Sequence, residues 1–352
     1  MKVLITGGAG FVGSALARNL KDKYPSYAIS VCDNLVRRGS EINLPGLKER
    51  GITFFHTDLR LEADIQDLPP SDVIIDASAD PSVLAGINSS VTKLIQSNLT
   101  STTNLLEWAS RHQSRFIFLS TSRIYPIEKL NQIALDEGNT RFEVAAKQSL
   151  QGISVKGISE KFPLEGSRSF YGAAKLASEL FVEEYQAWKN LQTVTLRCGV
   201  IAGPGQFGKV DQGILVHWLA SHFWKRNLSY FGFGGTGKQV RDFLHILDLV
   251  NLIDQIIHRF EVVNGKVLNA GGGAQNSISL QELTALCQDA TGNKVNIDSV
   301  KDNRVADIPY YCTDNELIQN CLSWKPEKKI SDLIKDTALW IESNKTELKK
   351  IL

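Results

Sequence analysis

The chain has no surplus of either charge. Its 352 residues carry 39 lysines and arginines against 38 aspartates and glutamates, a net charge of +1. A global basic field that would hold nucleic acid or an anionic membrane surface is therefore missing, and any anion must be gripped by local groups. Long apolar runs are missing too. The best stretch, GILVHWLASHFW at 213–224, is broken by His217, Ser221 and His222. It falls short of the roughly 20 residues of a membrane span and reads as a buried helix. The opening MKVLITGG is too short in its apolar part, and too soon glycine-rich, for a secretory signal. The five cysteines, Cys32, Cys198, Cys287, Cys312 and Cys321, include no CxxC and no paired spacing. An odd, scattered set fits a reducing cytoplasm better than a disulfide framework. The six histidines form no HExxH or similar cluster, so no metal is expected. No repeat or low-complexity segment appears.

What is present is a rhythm. Short β-branched runs recur: KVLIT, AISVCD, ITFFHTD, DVIIDAS, RFIFLSTS, TVTLRC and KVLNAGG. Between them lie helical patterns near 12–23, 97–112, 173–189, 212–225, 246–259, 279–291 and 330–344. Continuous apolar strands alternating with helices imply an α/β fold, a doubly wound parallel sheet covered on both faces. A chain of this length is expected to have two lobes. The longest irregular stretch is 127–168, rich in Gly, Ser and charge, and connections that long are usually functional or mobile.

The first strand runs into TGGAGFVGSALARNL. Gly7, Gly10 and Gly13 follow a strand and open a helix, the context in which such glycines let backbone N–H groups approach a pyrophosphate. Twenty residues past Gly13, the second strand ends in Asp33. A carboxylate there accepts from adenosine ribose hydroxyls and repels a 2′-phosphate, which favours NAD over NADP. Arg37 and Arg38 nearby weaken that preference. Asp58, closing FFHTD, suits either an adenine edge or a strand-end turn.

The fifth strand delivers Ser120, Thr121 and Ser122 to the edge where doubly wound sheets bind ligands. A hydroxyl there can meet a substrate hydroxyl. Further on, SFYGAAK places Tyr171 and Lys175 one helical turn apart. An ammonium near a phenol favours the phenolate and makes a usable proton acceptor. The small residues between them leave room for a flat ring to approach. Each signal alone has a bland reading, as a strand terminus or a solvated helix face. Their order in one doubly wound pattern is the strong signal.

TGGAGFVG and YGAAK resemble the glycine and YxxxK motifs of extended short-chain dehydrogenases/reductases, the NAD-dependent epimerase/dehydratase family, over essentially the full length. That resemblance implies an enzyme whose cofactor is NAD. It makes Tyr171 the acid/base, Lys175 its pKa-lowering partner and ribose ligand, and Thr121 the hydroxyl on the reacting sugar. It puts Gly7, Gly10, Phe11, Val12 and Gly13 around the pyrophosphate. Asp33, Asn34 and Arg37 fall near the ribose, Asp58 and Leu59 by the adenine, and Ala77, Ser78, Ala79, Asn98 and Cys198 along the rest of the cofactor. The implied boundaries are an NAD-binding domain at 1–198, with 246–272 returning to it, and a smaller nucleotide-sugar-binding lobe at 199–352.

CDNLVRRGS, STSRIYP, SFYGAAKLASE, GPGQFGKVDQGI and GKQVRDFLH are similar to the CDP-paratose (CDP-tyvelose) 2-epimerase group. The insert between Thr121 and Tyr171 is longer than in galactose epimerases and is a candidate substrate lid. The resemblance implies a nucleotide-diphosphate sugar as substrate, met by Thr121, Ser122, Arg123, Gln206, Lys209, Asp211, Gln212, Gln239, Arg241 and Arg304. The competing account of Arg241 and Arg304 is salt bridging with Asp242 and Asp307. For Asp211 it is a helix N-cap. Sugar 4,6-dehydratases need an acid/base pair just after the hydroxyl, where Ser122 and Arg123 stand here. A UDP-sugar 4-epimerase or a nucleotide-sugar reductase uses the same Thr/Tyr/Lys set and stays open. A non-catalytic dinucleotide sensor would commonly have lost it. Leu105, Trp108, Leu180 and Tyr185 give helices 97–112 and 173–189 apolar faces, which implies a homodimer as in relatives, with packing in the chain's own core as the alternative. The end, NKTELKKIL, reads as a solvated helix tail.

Overall fold

A computed structural model describes residues 1–87, 89–208, 212–349 and 351–352 of the protein. Seven strands build the main sheet: β1 (Lys2–Thr6), β2 (Ala28–Asp33), β3 (Thr53–His56), β4 (Val73–Asp76), β5 (Arg115–Thr121), β6 (Thr193–Cys198) and β7 (Lys266–Ala270). All seven lie within the apolar runs read from the sequence. Their order is β7-β6-β5-β4-β1-β2-β3, a doubly wound parallel sheet. β1 pairs with β2 from Lys2↔Ala28 and with β4 from Val3↔Val73. Val3, Leu4, Ile5, Val73, Ile74 and Ile75 are fully buried, which is why these strands read as unbroken apolar runs. Strand order reverses between β1 and β4, so the C-terminal ends of those two strands flank the crevice where such sheets take ligands.

The longer helices are α1 (Phe11–Lys23), α2 (Ser101–His112), α3 (Phe170–Lys189), α4 (Ile214–Phe223), α5 (Ile246–His258), α6 (Leu280–Thr291) and α7 (Ile330–Ser343). Each matches an expected helix, with α2 reached through a short helix, Val91–Ile95, and a π-helical turn, Gln96–Thr100. α6 shows why its start was legible. Ser279 Oγ accepts from the Glu282 N–H at 3.0 Å, and the Glu282 carboxylate accepts from the Ser279 N–H at 2.9 Å. Gly292, at φ +67°, then stops the helix.

The chain divides into two compact units. The first holds residues 1–124, 170–197 and 250–268, and its core joins Leu4, Ile74, Leu105, Trp108, Phe116 and Val182. The second holds 125–169, 198–249 and 269–352, with Leu215, Trp218, Leu219, Leu283, Leu333 and Ile341 at its centre. The irregular stretch 127–168 forms two short hairpins, Leu135–Glu137 with Phe142–Val144 and Ile153–Ser154 with Gly157–Ile158. It is fastened to its own unit. The Ile158 N–H donates to the Cys312 carbonyl at 2.8 Å, the Asp314 N–H to the Ile158 carbonyl at 3.0 Å, and Asn269 Nδ2 to that same carbonyl at 2.9 Å.

Two expectations need correction. Leu105 and Trp108 do not form an outer apolar face; they are buried in the core of their own unit. The exposed large apolar residues of α3 are Phe170, Leu180, Phe181 and Trp188, the last 78% exposed. Nor is the C-terminal end a solvated tail. Leu348 is buried, Ile351 and Leu352 pack on the second core, and Arg226 Nη1 donates to the Leu352 carbonyl at 2.5 Å. The lysines obscured that apolar spacing.

Candidate active site

Gly7 leaves β1 at φ +61°, a conformation that side chains other than glycine rarely take. A Cβ on Gly13 would stand 2.3 Å from the Gly7 carbonyl oxygen, so helix and turn touch backbone to backbone. Phe11 and Val12 begin α1, which is capped by Gly10 with no side-chain cap and has no acidic residue in its first turn. The helix start thus keeps its donors and positive dipole end available to an anion. Asn43 Nδ2 braces the turn by donating to the Ala9 carbonyl at 2.9 Å, a contact the sequence did not disclose.

Asp33 ends β2. It accepts from the Ala9 N–H at 3.2 Å and the Leu35 N–H at 2.8 Å, which fixes its carboxylate beside the glycine turn. Burial pushes this carboxyl above its usual range, opposed by those backbone donors. Asn34 accepts from the Val36 N–H at 3.2 Å, Arg37 is half-buried and Arg38 is exposed. The open helix end, the bare glycine backbone and a carboxylate at the end of the second strand fit the pyrophosphate and adenosine ribose of NAD.

Asp58 lies two residues beyond β3. Its carboxylate accepts from the Arg60 N–H at 3.1 Å and pairs with the guanidinium at 2.5 Å, which holds it below the usual carboxylate range. It builds the strand-end turn. Leu59 buries its side chain in the core beside Leu4 and Ile65. Ala77, Ser78 and Ala79 follow β4, and the Ala77 and Ser78 N–H groups each donate to Thr6 Oγ1 at 3.1 Å. Asn98 sits buried in the π-helical turn, where its Oδ1 accepts from the Asp80 N–H at 3.0 Å and its Nδ2 donates to the Leu94 carbonyl at 3.1 Å.

Thr121 is the last residue of β5, and its Oγ1 accepts from the Arg123 N–H at 3.2 Å. Ser122 and Arg123 continue into a 3₁₀ turn, with no carboxylate at either place. Tyr171 and Lys175 both lie in α3, 7% and 1% exposed. Tyr171 packs with Leu94 and Ala174. Lys175 Nζ stands 3.9 Å from the centre of the Phe118 ring, a cation–π contact with the middle of β5. α3 is locked to the sheet by Glu179. Its carboxylate takes Arg197 Nη2 of β6 at 2.8 Å and Ser120 Oγ of β5 at 2.5 Å. Neither Glu179 nor Arg197 stood out in the sequence, because a glutamate in a helix and an arginine in a strand usually face water.

The substrate candidates of the second unit fall into groups. Gln239 and Arg241 lie at the start of the strand Val240–His245, and Arg304 meets the strand Leu228–Phe231 of a separate sheet. Arg304 stacks on the Phe231 ring at 3.6 Å, and Gln239 Nε2 donates to the Phe231 carbonyl at 2.5 Å. Gln239 Oε1 is buried without a hydrogen-bond partner among the described residues. Arg241 pairs with Asp307 at 3.1 Å and donates to the Ile308 carbonyl at 2.7 Å. Asp242 is fully buried, and its Oδ2 accepts from the Gly273 N–H at 2.9 Å. Gln206 donates to the Ile201 carbonyl at 2.9 Å, Gln212 is half-buried just before α4, and Cys198 is buried at the end of β6. Lys209 and Asp211 lie outside the described residues; the residue that caps α4 is Gly213.

A CDP-paratose 2-epimerase of Salmonella typhi is 31% identical over 97% of this chain and 100% of its own length. Among solved structures, Pal from Bacillus thuringiensis superposes with a TM-score of 0.81 at 24% identity, covering 97% of this chain and 99% of that one. A UDP-glucose 4-epimerase of Thermotoga maritima, solved with UDP-glucose, gives 0.79 at 22%, covering 98% and 99%. The family described as NAD dependent epimerase/dehydratase matches residues 3–271. With that match spanning most of the chain and a relative alike from end to end, this protein belongs to the NAD dependent epimerase/dehydratase family.

Proposed function

We propose that this enzyme is a nucleotide-sugar epimerase that inverts one sugar carbon through a transient ketone, with the CDP-paratose 2-epimerase reaction as its first candidate. The observation that carries the reading is the 31% identity to such an enzyme across that enzyme's whole length. The residues at the end of β5 support it. Ser122 and Arg123 offer no carboxylate to expel water, which argues against a dehydratase.

The C–H of a secondary carbinol is not acidic, so direct deprotonation cannot invert it. Bound NAD supplies reversible hydride exchange at that carbon. Tyr171, as phenolate, takes the hydroxyl proton and later returns it, with Lys175 favouring the ionised phenol. Thr121 holds the reacting hydroxyl in line with Tyr171. The planar ketone turns before it is reduced from its other face. Gly7, Gly10, Gly13 and Asp33 hold the cofactor through the whole cycle. Arg241 and Arg304, with Gln206, Gln212 and Gln239, receive the nucleoside diphosphate, since guanidinium forks suit phosphate oxygens.

A second copy of this chain is the partner we assign to α3. Leu180, Phe181 and Trp188 recur at helical spacing on its exposed side. Four buried free cysteines and a half-buried fifth suit the reducing cytoplasm we propose as its location.

Denatured protein should release NAD. Product NMR with a panel of CDP-, UDP- and GDP-sugars should show inversion at C2 of a CDP-sugar without net NADH. Inversion at C4 of a UDP-sugar would select the 4-epimerase reading. Stoichiometric NADH formation, or loss of water from the sugar, would overturn the epimerase assignment.

A further inference from the structure

Asp76 closes β4 and is fully buried. Three hydroxyls donate to it. Thr6 Oγ1 reaches Oδ1 at 2.7 Å, Ser78 Oγ reaches Oδ1 at 2.8 Å, and Thr102 Oγ1 reaches Oδ2 at 2.9 Å. They come from separate pieces of the first unit: the end of β1 just before Gly7, the loop after β4, and the first turn of α2. Thr102 Oγ1 also lies 3.0 Å from the Asn98 carbonyl. The same carbonyl stands 3.0 Å from Ser178 Oγ on α3, three residues past Lys175.

A threonine hydroxyl has one proton to give. An ionised carboxylate competes for it better than a neutral carbonyl does. While Asp76 holds the Thr102 proton, the Asn98 carbonyl is left to Ser178, and α3 is tied there. Without the carboxylate, Thr102 turns to Asn98. A carbonyl can accept from two donors, so Thr102 then crowds the bond from Ser178, which has the Ala174 carbonyl of its own helix as an alternative, also 3.0 Å away. The tie between α3 and the π-helical turn is weakened.

We infer that Asp76 is a positioning residue that links the glycine turn, through Thr102 and the Asn98 carbonyl, to the helix bearing Tyr171 and Lys175. One carboxylate thereby sets both the turn proposed for the pyrophosphate and the helix proposed for the reacting proton. The inference rests on the proposed roles of Tyr171 and Lys175.

The test uses Asp76→Asn, which keeps the shape but removes an acceptor, with Thr102→Val and the conservative Thr102→Ser. NAD binding to NAD-stripped protein is measured by titration calorimetry, and thermal melting is measured beside it. Losing a hydrogen bond to a charged acceptor predicts about tenfold weaker NAD binding for D76N and T102V. T102S, which keeps the hydroxyl, should stay within about twofold of wild type, and the D76N/T102V double variant should be no weaker than its worse parent. With the nucleotide sugar that the wild type converts, kcat of D76N should fall while KM holds, and T102V, which leaves the Asn98 carbonyl to Ser178, should lose less kcat than D76N. NAD binding at wild-type strength in a D76N protein with a lowered Tm would overturn the inference, as would T102S binding as weakly as T102V. If D76N does not fold, the T102V and T102S pair decides. If the wild type converts no nucleotide sugar, the epimerase reading fails and the NAD titrations still decide this one.

Discussion

Replacing Glu179 by glutamine should be among the costliest single changes in the first unit. Arg197 approaches the Glu179 carboxylate through Nη2 at 2.8 Å and Nε at 3.0 Å, with the two side chains only 7% and 4% exposed. Ser120 Oγ occupies the other carboxylate oxygen. In Glu179→Gln the guanidinium stays buried but loses its countercharge. Breaking a buried pair in this way costs about 3–5 kcal/mol, whereas replacing both partners with packed apolar residues is often neutral. For a domain of roughly 150–250 residues, each kcal/mol moves Tm by about 2–4 °C, so the single variant should melt roughly 6–20 °C lower. The assay is thermal unfolding of Glu179→Gln, Arg197→Met and the double variant Glu179→Leu/Arg197→Met. The double variant should recover most of the loss. A single variant melting within about 2 °C of wild type, or a double variant no better than either single one, would refute the claim that this pair locks α3 to the sheet.

Tyr171→Phe should retain NAD yet lose about 10²–10⁴-fold in turnover, read by product NMR, because only the proton relay is removed. Gly13→Ala should abolish NAD retention, since its Cβ would meet the Gly7 carbonyl oxygen at 2.3 Å and neither backbone can yield; cofactor released from purified protein measures this. Burial raises the Asp33 carboxyl, so its contribution to stability is present at low pH and lost as pH rises through the folded value. NAD binding runs in the opposite sense, because the ribose hydroxyls need an ionised acceptor. Affinity by calorimetry should therefore weaken as pH falls through that raised value, and Asp33→Asn should flatten this acid limb.

Most of the sheet could be read from the sequence because its strands are buried on both faces. KVLIT and TVTLRC carry that burial as composition alone. The long helices were equally plain where caps and periodicity agreed, as in α6. The glycine turn, Asp33, Thr121, Tyr171 and Lys175 were legible because each falls at a fixed place relative to a strand or helix end. Asp76 was not. Its partners Thr6 and Thr102 are 70 and 26 residues away, and only the pairing of β1 with β4 and the packing of α2 bring them together. Glu179 and Arg197 were hidden because charged residues in a helix and a strand ordinarily read as facing water. The hairpins of 127–168 escaped because strands of two or three residues leave no usable alternation. The face of α2 was misjudged because periodicity tells that a helix has an apolar side, and not whether the chain itself already covers it.

The polypeptide passes from one unit to the other five times, contributing three stretches to each. No single cut yields an independently foldable half. A product terminated after Arg197 would lack Lys266–Ala270, the strand at the sheet's border, and would leave β6 with an open flank. The gene can therefore be diversified by exchanging loops, but not by shuffling one half against another.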